Sequence, residues 1–232
     1  MALTNDQIAF YLFLLPPLLL SLTVHEFAHA RTALAFGDPT AKFLGRCSLN
    51  PLRHLDPVGT LVLIFTQGFG WAKPVPVNPA NLHPRRLGDM AVSFAGPLSN
   101  LMLAATAALV IRILLANHID GQLPAGRIAY HVLLVLVQIN LGLAVFNLLP
   151  LFPLDGHHIA REMLPAYKQA SFMFWQMRWG PIVLLALMIG PRLGENLLGR
   201  PLPDPVGYCI FQLLVDAVDL FQIHPAFAYA FR

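Results

Sequence analysis

Charge is scarce in this chain. Only 12% of its 232 residues are Asp, Glu, Lys or Arg, about half the share of an ordinary soluble domain, which excludes a globule with a solvated surface all round. Cysteine is nearly absent too. Cys47 and Cys209 form no CxxC pair, so a disulfide framework and a thiolate metal site are both excluded. No internal repeat or low-complexity tract occurs, and no polar connection exceeds about twenty residues, which leaves no separate soluble module. The first residues lack a basic n-region and an A-x-A-like cleavage site, so the first apolar run reads as a retained span and not a signal peptide. What is present is apolar: 56% of residues are hydrophobic. The expectation is an integral, multi-pass membrane protein, a single domain over 1–232 with its core at about 6–160, embedded in a lipid bilayer and without a nucleic-acid partner.

Breakers divide the apolar sequence. A first helix covers about Asp6 to Phe36 and stops at Gly37-Asp38-Pro39, where Gly terminates and Pro restricts the residue before it. Val58 to Phe69 is too short to span comfortably and reads as re-entrant. In WAKPVPVNP, residues 71–79, alternating Val and Pro disfavour helix and suggest an extended edge strand. Further helices are expected at about Leu87–Ala116, Arg127–Leu149 and Phe174–Ile189, with a weaker one at Val206–Phe221. The expected fold is therefore all-α: a bundle of about five to six transmembrane helices, with a short re-entrant or β-like segment near residues 58–80 and additional C-terminal helices over about 170–223. With the N-terminus outside, the inner segments 31–57, 72–89 and 157–178 hold ten of the 15 basic residues, the bias expected of cytoplasmic loops.

Against that background SLTVHEFAHA, residues 21–30, is costly. His25 and His29 stand at i and i+4, so on a helix they project from one face, one turn apart. That spacing suits two imidazoles on one Zn²⁺, with Glu26 placed to handle the proton of a bound water: the H-E-x-x-H pattern. Zinc lowers the pKa of its water toward ~7 and polarises a carbonyl; Glu26 would pass the proton to the leaving amine. The bland reading is a pair of neutral histidines satisfied by a carbonyl or water. Ionisable groups inside a span, however, are functional candidates by default. A third protein ligand is needed. Asp155, in FNLLPLFPLDGHHI, directly follows the Arg127–Leu149 helix and returns to the depth of the histidines. Asp120 falls on the opposite side, Asp216 and Asp219 lie in the weak late helix, and Asp38 and Asp56 sit in a polar loop where they cap or solvate. Taken alone, Asp155-Gly156 is equally a turn.

Together, HEFAH at 25–29, FAGPLSN at 94–100, NLLPLFPLDG at 147–156 and GWAKPVPVNP at 70–79 resemble the site-2 protease family of intramembrane zinc metalloproteases, over roughly residues 20–160. The resemblance implies one zinc per chain held by His25, His29 and Asp155, and Glu26 as catalytic acid/base. It also implies that the Asn147 amide binds substrate backbone or steadies an oxyanion. A helix-packing hydrogen bond is the plain alternative for Asn147. Gly96, Pro97 and Asn100 are expected to be structural, with Gly96 allowing close helix packing. The PDZ or CBS module of larger members has no room here. His157 and His158 read as interfacial. The implied activity is hydrolysis of a transmembrane or membrane-proximal peptide, in a prokaryotic plasma membrane with the site toward the cytoplasm. Competing readings are a membrane HExxH protease using Glu162 or Glu195 as third ligand, a divalent-metal transporter with ionisable groups strung along several spans, and an inactive scaffold.

Overall fold

A backbone in hydrocarbon can satisfy its N–H and C=O groups only within helices or a closed barrel. The computed structural model describes residues 5–66, 70–119, 124–198, 204–224 and 226, and among them it is helical with no strand. In order run α1 (Asn5–Ala35), α2 (Thr40–Phe43), α3 (Pro57–Thr66), α4 (Arg85–Ala116), α5 (Pro124–Leu148), α6 (Asp155–Met163), α7 (Ala166–Leu198) and α8 (Pro205–Phe221). The chain is an all-α membrane protein. Four of the described helices, over Tyr11–Ala35, Arg85–Ala116, Ala125–Leu148 and Ala166–Pro191, are long and apolar enough to cross a membrane. The expected Val58–Phe69 piece forms the 10-residue α3, with residues 67–69 outside the described ones. The weak late helix is the 17-residue α8, at the short end of the spanning range. Asp120 and the side chain of Glu195 also lie outside the described residues.

Helix α4 is the hub, packing against α1, α5, α6 and α8. Its buried stripe of Ala104, Ala107, Ala108 and Ile111 meets Tyr130, Leu134, Val137 and Leu141 of α5 and Val218 of α8. Small side chains suit this interface, because helices in lipid associate by close packing and not by escape from water. Helix α7 leaves Phe174, Trp175, Met177, Trp179, Ile182 and Leu185 exposed, a surface suited to hydrocarbon and not to water.

The segment expected as an edge strand is extended but joins no sheet. One antiparallel bridge pairs Leu55 with Ala72, and Lys73 N–H donates to His54 C=O at 2.8 Å. Pro74 and Pro76 withhold the donors that a ladder needs. The segment is a strap, and Asp38 moors it. Of the two roles expected of Asp38, capping and not solvation is found, and the residue is fully buried. Its carboxylate accepts Thr40 N–H (3.1 Å), the Thr40 hydroxyl (2.5 Å), Asn78 N–H (2.7 Å) and Asn81 Nδ2 (2.9 Å). Burial pushes this carboxyl up, but those bonds from Thr40, Asn81 and Asn78 outweigh it and hold the group below its ordinary value.

Candidate metal centre

Helix α1 presents His25 and His29 toward α4, and both imidazoles are pinned there through Nδ1. His29 Nδ1 lies 2.7 Å from Val92 C=O, which can only accept, so His29 Nδ1 carries the proton. His25 Nδ1 lies 2.6 Å from Asn100 Oδ1 and donates to it. In the neutral rings each Nε2 is then a bare lone pair, and the two are 3.0 Å apart. Asp155 Oδ2 closes the triangle, 3.3 Å from either Nε2. This oxygen is buried and has no hydrogen-bond donor. Three acceptors thus face one point. A single proton would relieve one edge of that triangle; a divalent cation relieves all three. Ligand atoms ~2.0–2.1 Å from one tetrahedral ion lie about 3.3 Å apart, so the donor set fits zinc without rearrangement.

Asp155 arrives by a specific fold of the chain. The Asp-Gly pair is no turn; it opens α6. A Cβ on Gly156 would lie 2.3 Å from Leu148 C=O and 2.4 Å from Leu149 C=O, so only glycine lets the α6 N-terminus close onto the end of α5. The preceding turn is clasped by one amide of α7: Gln176 Oε1 accepts Phe152 N–H (2.9 Å) and its Nε2 donates to Pro150 C=O (2.6 Å). Helix α6 is tied to α4 by Arg161, whose Nη2 donates to the buried Asp89 at 2.6 Å. His158 Nδ1 stands 3.4 Å from the same carboxylate. Glu162, considered as an alternative third ligand, instead accepts from Arg161 Nε at 2.9 Å.

Gly96 is more than a packing residue. A Cβ there would meet His29 Nε2 at 2.3 Å and His25 Cε1 at 2.6 Å. The glycine leaves the space that both ligand-type rings fill. Glu26 is buried beside them but stands outside the triangle; its Oε2 accepts the strap's Val75 N–H at 3.0 Å. Asn147 Nδ2 donates to Leu143 C=O one turn back on α5, at 3.0 Å, the local bond considered as its plain alternative. His157 is buried, with Nδ1 2.5 Å from Leu154 C=O.

Sequence reasoning missed Ser21, Asn140, Asp89 and Gln176. The first two are uncharged polar residues inside apolar runs, and that oddity was the available signal. A transporter would spread ionisable groups along several spans. Among the described residues the histidine–carboxylate group at His25, His29 and Asp155 stands alone as a metal-type cluster.

Membrane-crossing helices around a two-histidine, one-aspartate donor set, with a glutamate next in sequence to one of the histidines, define an intramembrane zinc metalloprotease. The chain belongs to peptidase family M50, the site-2 protease family. The sequence profile of that family matches residues 112–188, a stretch that carries Asn147 and Asp155. Among similar proteins, "Putative zinc metalloprotease YwhC" of Bacillus subtilis (strain 168) is 42% identical over 186 residues, 80% of this chain and 84% of that protein. "Putative zinc metalloprotease Rip2" of Mycobacterium tuberculosis (strain H37Rv) is 31% identical over 207 residues, 84% of this chain and 71% of that one. The protein of that name in Mycolicibacterium smegmatis is 30% identical, over 76% of this chain and 66% of its own length. No solved structure matches the chain.

Proposed function

We propose that the protein hydrolyses peptide bonds in or beside the transmembrane segments of other membrane proteins, with His25, His29 and Asp155 holding the zinc and Glu26 as acid/base. The observation that carries this reading is the convergence of two Nε2 lone pairs and one donor-less carboxylate oxygen, 3.0 to 3.3 Å apart. Bound zinc supplies a Lewis acid that acidifies a water and polarises the scissile carbonyl.

The chain's own groups do the rest. Glu26 is adjacent to a ligand but not part of the donor triangle, so its carboxylate stays available to take a proton and deliver it to the leaving nitrogen. Its bond to Val75 N–H joins the base to the strap. A substrate helix hides its carbonyls in its own hydrogen bonds, so it must unwind before attack. The strap between its moorings at His54 and Asp38 is a template for that step: an extended substrate can add beside it, and Lys73 and Pro74 are exposed there. Pairing at this place brings a peptide bond next to Glu26. Asn147 then exchanges its bond to Leu143 for one to the substrate backbone. The bias of basic residues supports an orientation with this end of α1 toward the cytoplasm, and the bacterial relatives support a prokaryotic plasma membrane.

The test is Glu26→Gln in purified protein, with zinc content and cleavage of a membrane-inserted model peptide measured together. Full zinc with cleavage abolished is expected. Cleavage that persists removes Glu26 from the mechanism.

A further inference from the structure

The zinc-type triangle is anchored to something the ligand set does not include. Asn100, Asn140 and Ser21 are all fully buried, and they belong to α4, α5 and α1. Their hydrogen bonds run in one direction. Asn140 Nδ2 donates to Leu136 C=O and to Ser21 Oγ, each at 2.8 Å. The Ser21 hydroxyl donates in turn to Pro17 C=O at 2.7 Å. Both Leu136 and Pro17 contribute carbonyl oxygens, which cannot donate. The Asn140 amide therefore has one orientation, with Oδ1 toward Asn100. It accepts Asn100 Nδ2 at 2.7 Å, and the same Nδ2 reaches Ser21 C=O at 3.3 Å. The Asn100 amide is thereby oriented too, and the oxygen left over accepts from His25 Nδ1 at 2.6 Å.

We propose that Asn140, on α5, is a positioning residue for the metal centre, which it never touches: through Asn100 it dictates which nitrogen of His25 carries the proton. If the Asn100 amide flips, it offers an N–H to His25 Nδ1. The imidazole must then hold its proton on Nε2, where it points into the triangle and blocks a cation. Two acceptors hold the Asn100 amide in this orientation: Ser21 C=O at 3.3 Å, near the limit of a hydrogen bond, and Asn140 Oδ1 at 2.7 Å, which carries the greater part of the choice. The inference rests on the reading that His25 is a zinc ligand. It adds that α5 holds that ligand in its binding form, and such outer partners typically contribute 10–100-fold in metal affinity.

Two substitutions separate positioning from packing. Asn140→Leu is nearly isosteric and apolar in apolar surroundings, but it removes the acceptor that orients Asn100. Asn140→Asp keeps that acceptor, yet it buries a charge facing Leu136 C=O and is the harsher change for the fold. Zinc affinity of the full-length protein in detergent is measured by chelator competition, and the melting temperature of the metal-free protein by intrinsic fluorescence. Asn140→Leu is expected to weaken zinc 10–100-fold while melting close to the wild type. Asn140→Asp is expected to melt lower but hold zinc within about threefold. Affinity that follows melting temperature across the two variants overturns the proposal, as does unchanged affinity in Asn140→Leu. His25→Ala measured alongside keeps the two readings apart. If it too leaves zinc affinity unchanged, the ligand assignment has failed, and not only the role of Asn140.

Discussion

Replacing Gly96 by alanine probes how tightly the metal centre is pressed against α4. The added Cβ would sit 2.3 Å from His29 Nε2 and 2.6 Å from His25 Cε1, where ordinary contact begins at 3.4 Å. About 1 Å of relief is needed, and the ends of side chains normally yield that cheaply. Here they cannot. Both rings are held to α4 itself, His29 through Val92 C=O and His25 through Asn100 Oδ1. Swinging away from the methyl breaks those bonds, and moving α4 instead opens its packing against α1. Two buried hydrogen bonds at about 1–1.5 kcal/mol each come to about 2–3 kcal/mol, which is about 30–150-fold in zinc affinity. The assay is zinc competition in detergent, with Gly142→Ala as control, since a Cβ there meets nothing closer than 3.9 Å. Gly96→Ala protein that binds zinc within threefold of wild type would refute the claimed contact.

Other perturbations reach the site from further away. Asp89→Ala takes from Arg161 the partner that ties α6 to α4 and leaves it only Glu162, its neighbour on α6; about 1.5–3 kcal/mol of stability should be lost, and zinc should weaken because α6 carries Asp155, as thermal melts and metal titration would show. Gln176→Leu should free the turn at 150–152 and lower zinc affinity with no change to any ligand, measured by the same titration. Acid stability should depend on Asp38. Its folded pKa is depressed, so in the window between folded and unfolded values the unfolded chain binds the extra proton. Its contribution is complete above the unfolded value of about 3.9 and is lost as pH falls through the lower folded value. Asp38→Asn should therefore reduce the melting temperature at pH 6 and flatten its fall on acidification; an acid limb identical to wild type would contradict this.

What the sequence made legible was mostly local. The i, i+4 histidines, the glutamate beside them and the glycine that ends α1 are short-range patterns whose meaning follows from helix geometry alone. Asp155 came within reach because few carboxylates fall at the right depth in so apolar a chain. For its neighbour Gly156 the sequence offers only a turn as an alternative, because the true constraint is the pair of carbonyls at the end of α5 pressed against it. Strap residues 71–79 are legible as extended, and Asp38 as a residue that caps or solvates its own loop; its second role, mooring the strap across a gap in sequence, is not. Ser21, Asn100 and Asn140 acquire their roles only when α1, α4 and α5 meet. No spacing rule connects them, because the register between packed helices is a long-range property.

The most direct measurement is zinc per chain in purified wild-type protein and in Asp155→Ala, at matched protein concentration and after dialysis against a weak chelator. One zinc per wild-type chain, and close to none in the variant, is the expected pair of values. An Asp155→Ala protein that keeps its zinc through the dialysis would contradict the three-cornered site on which the account is built.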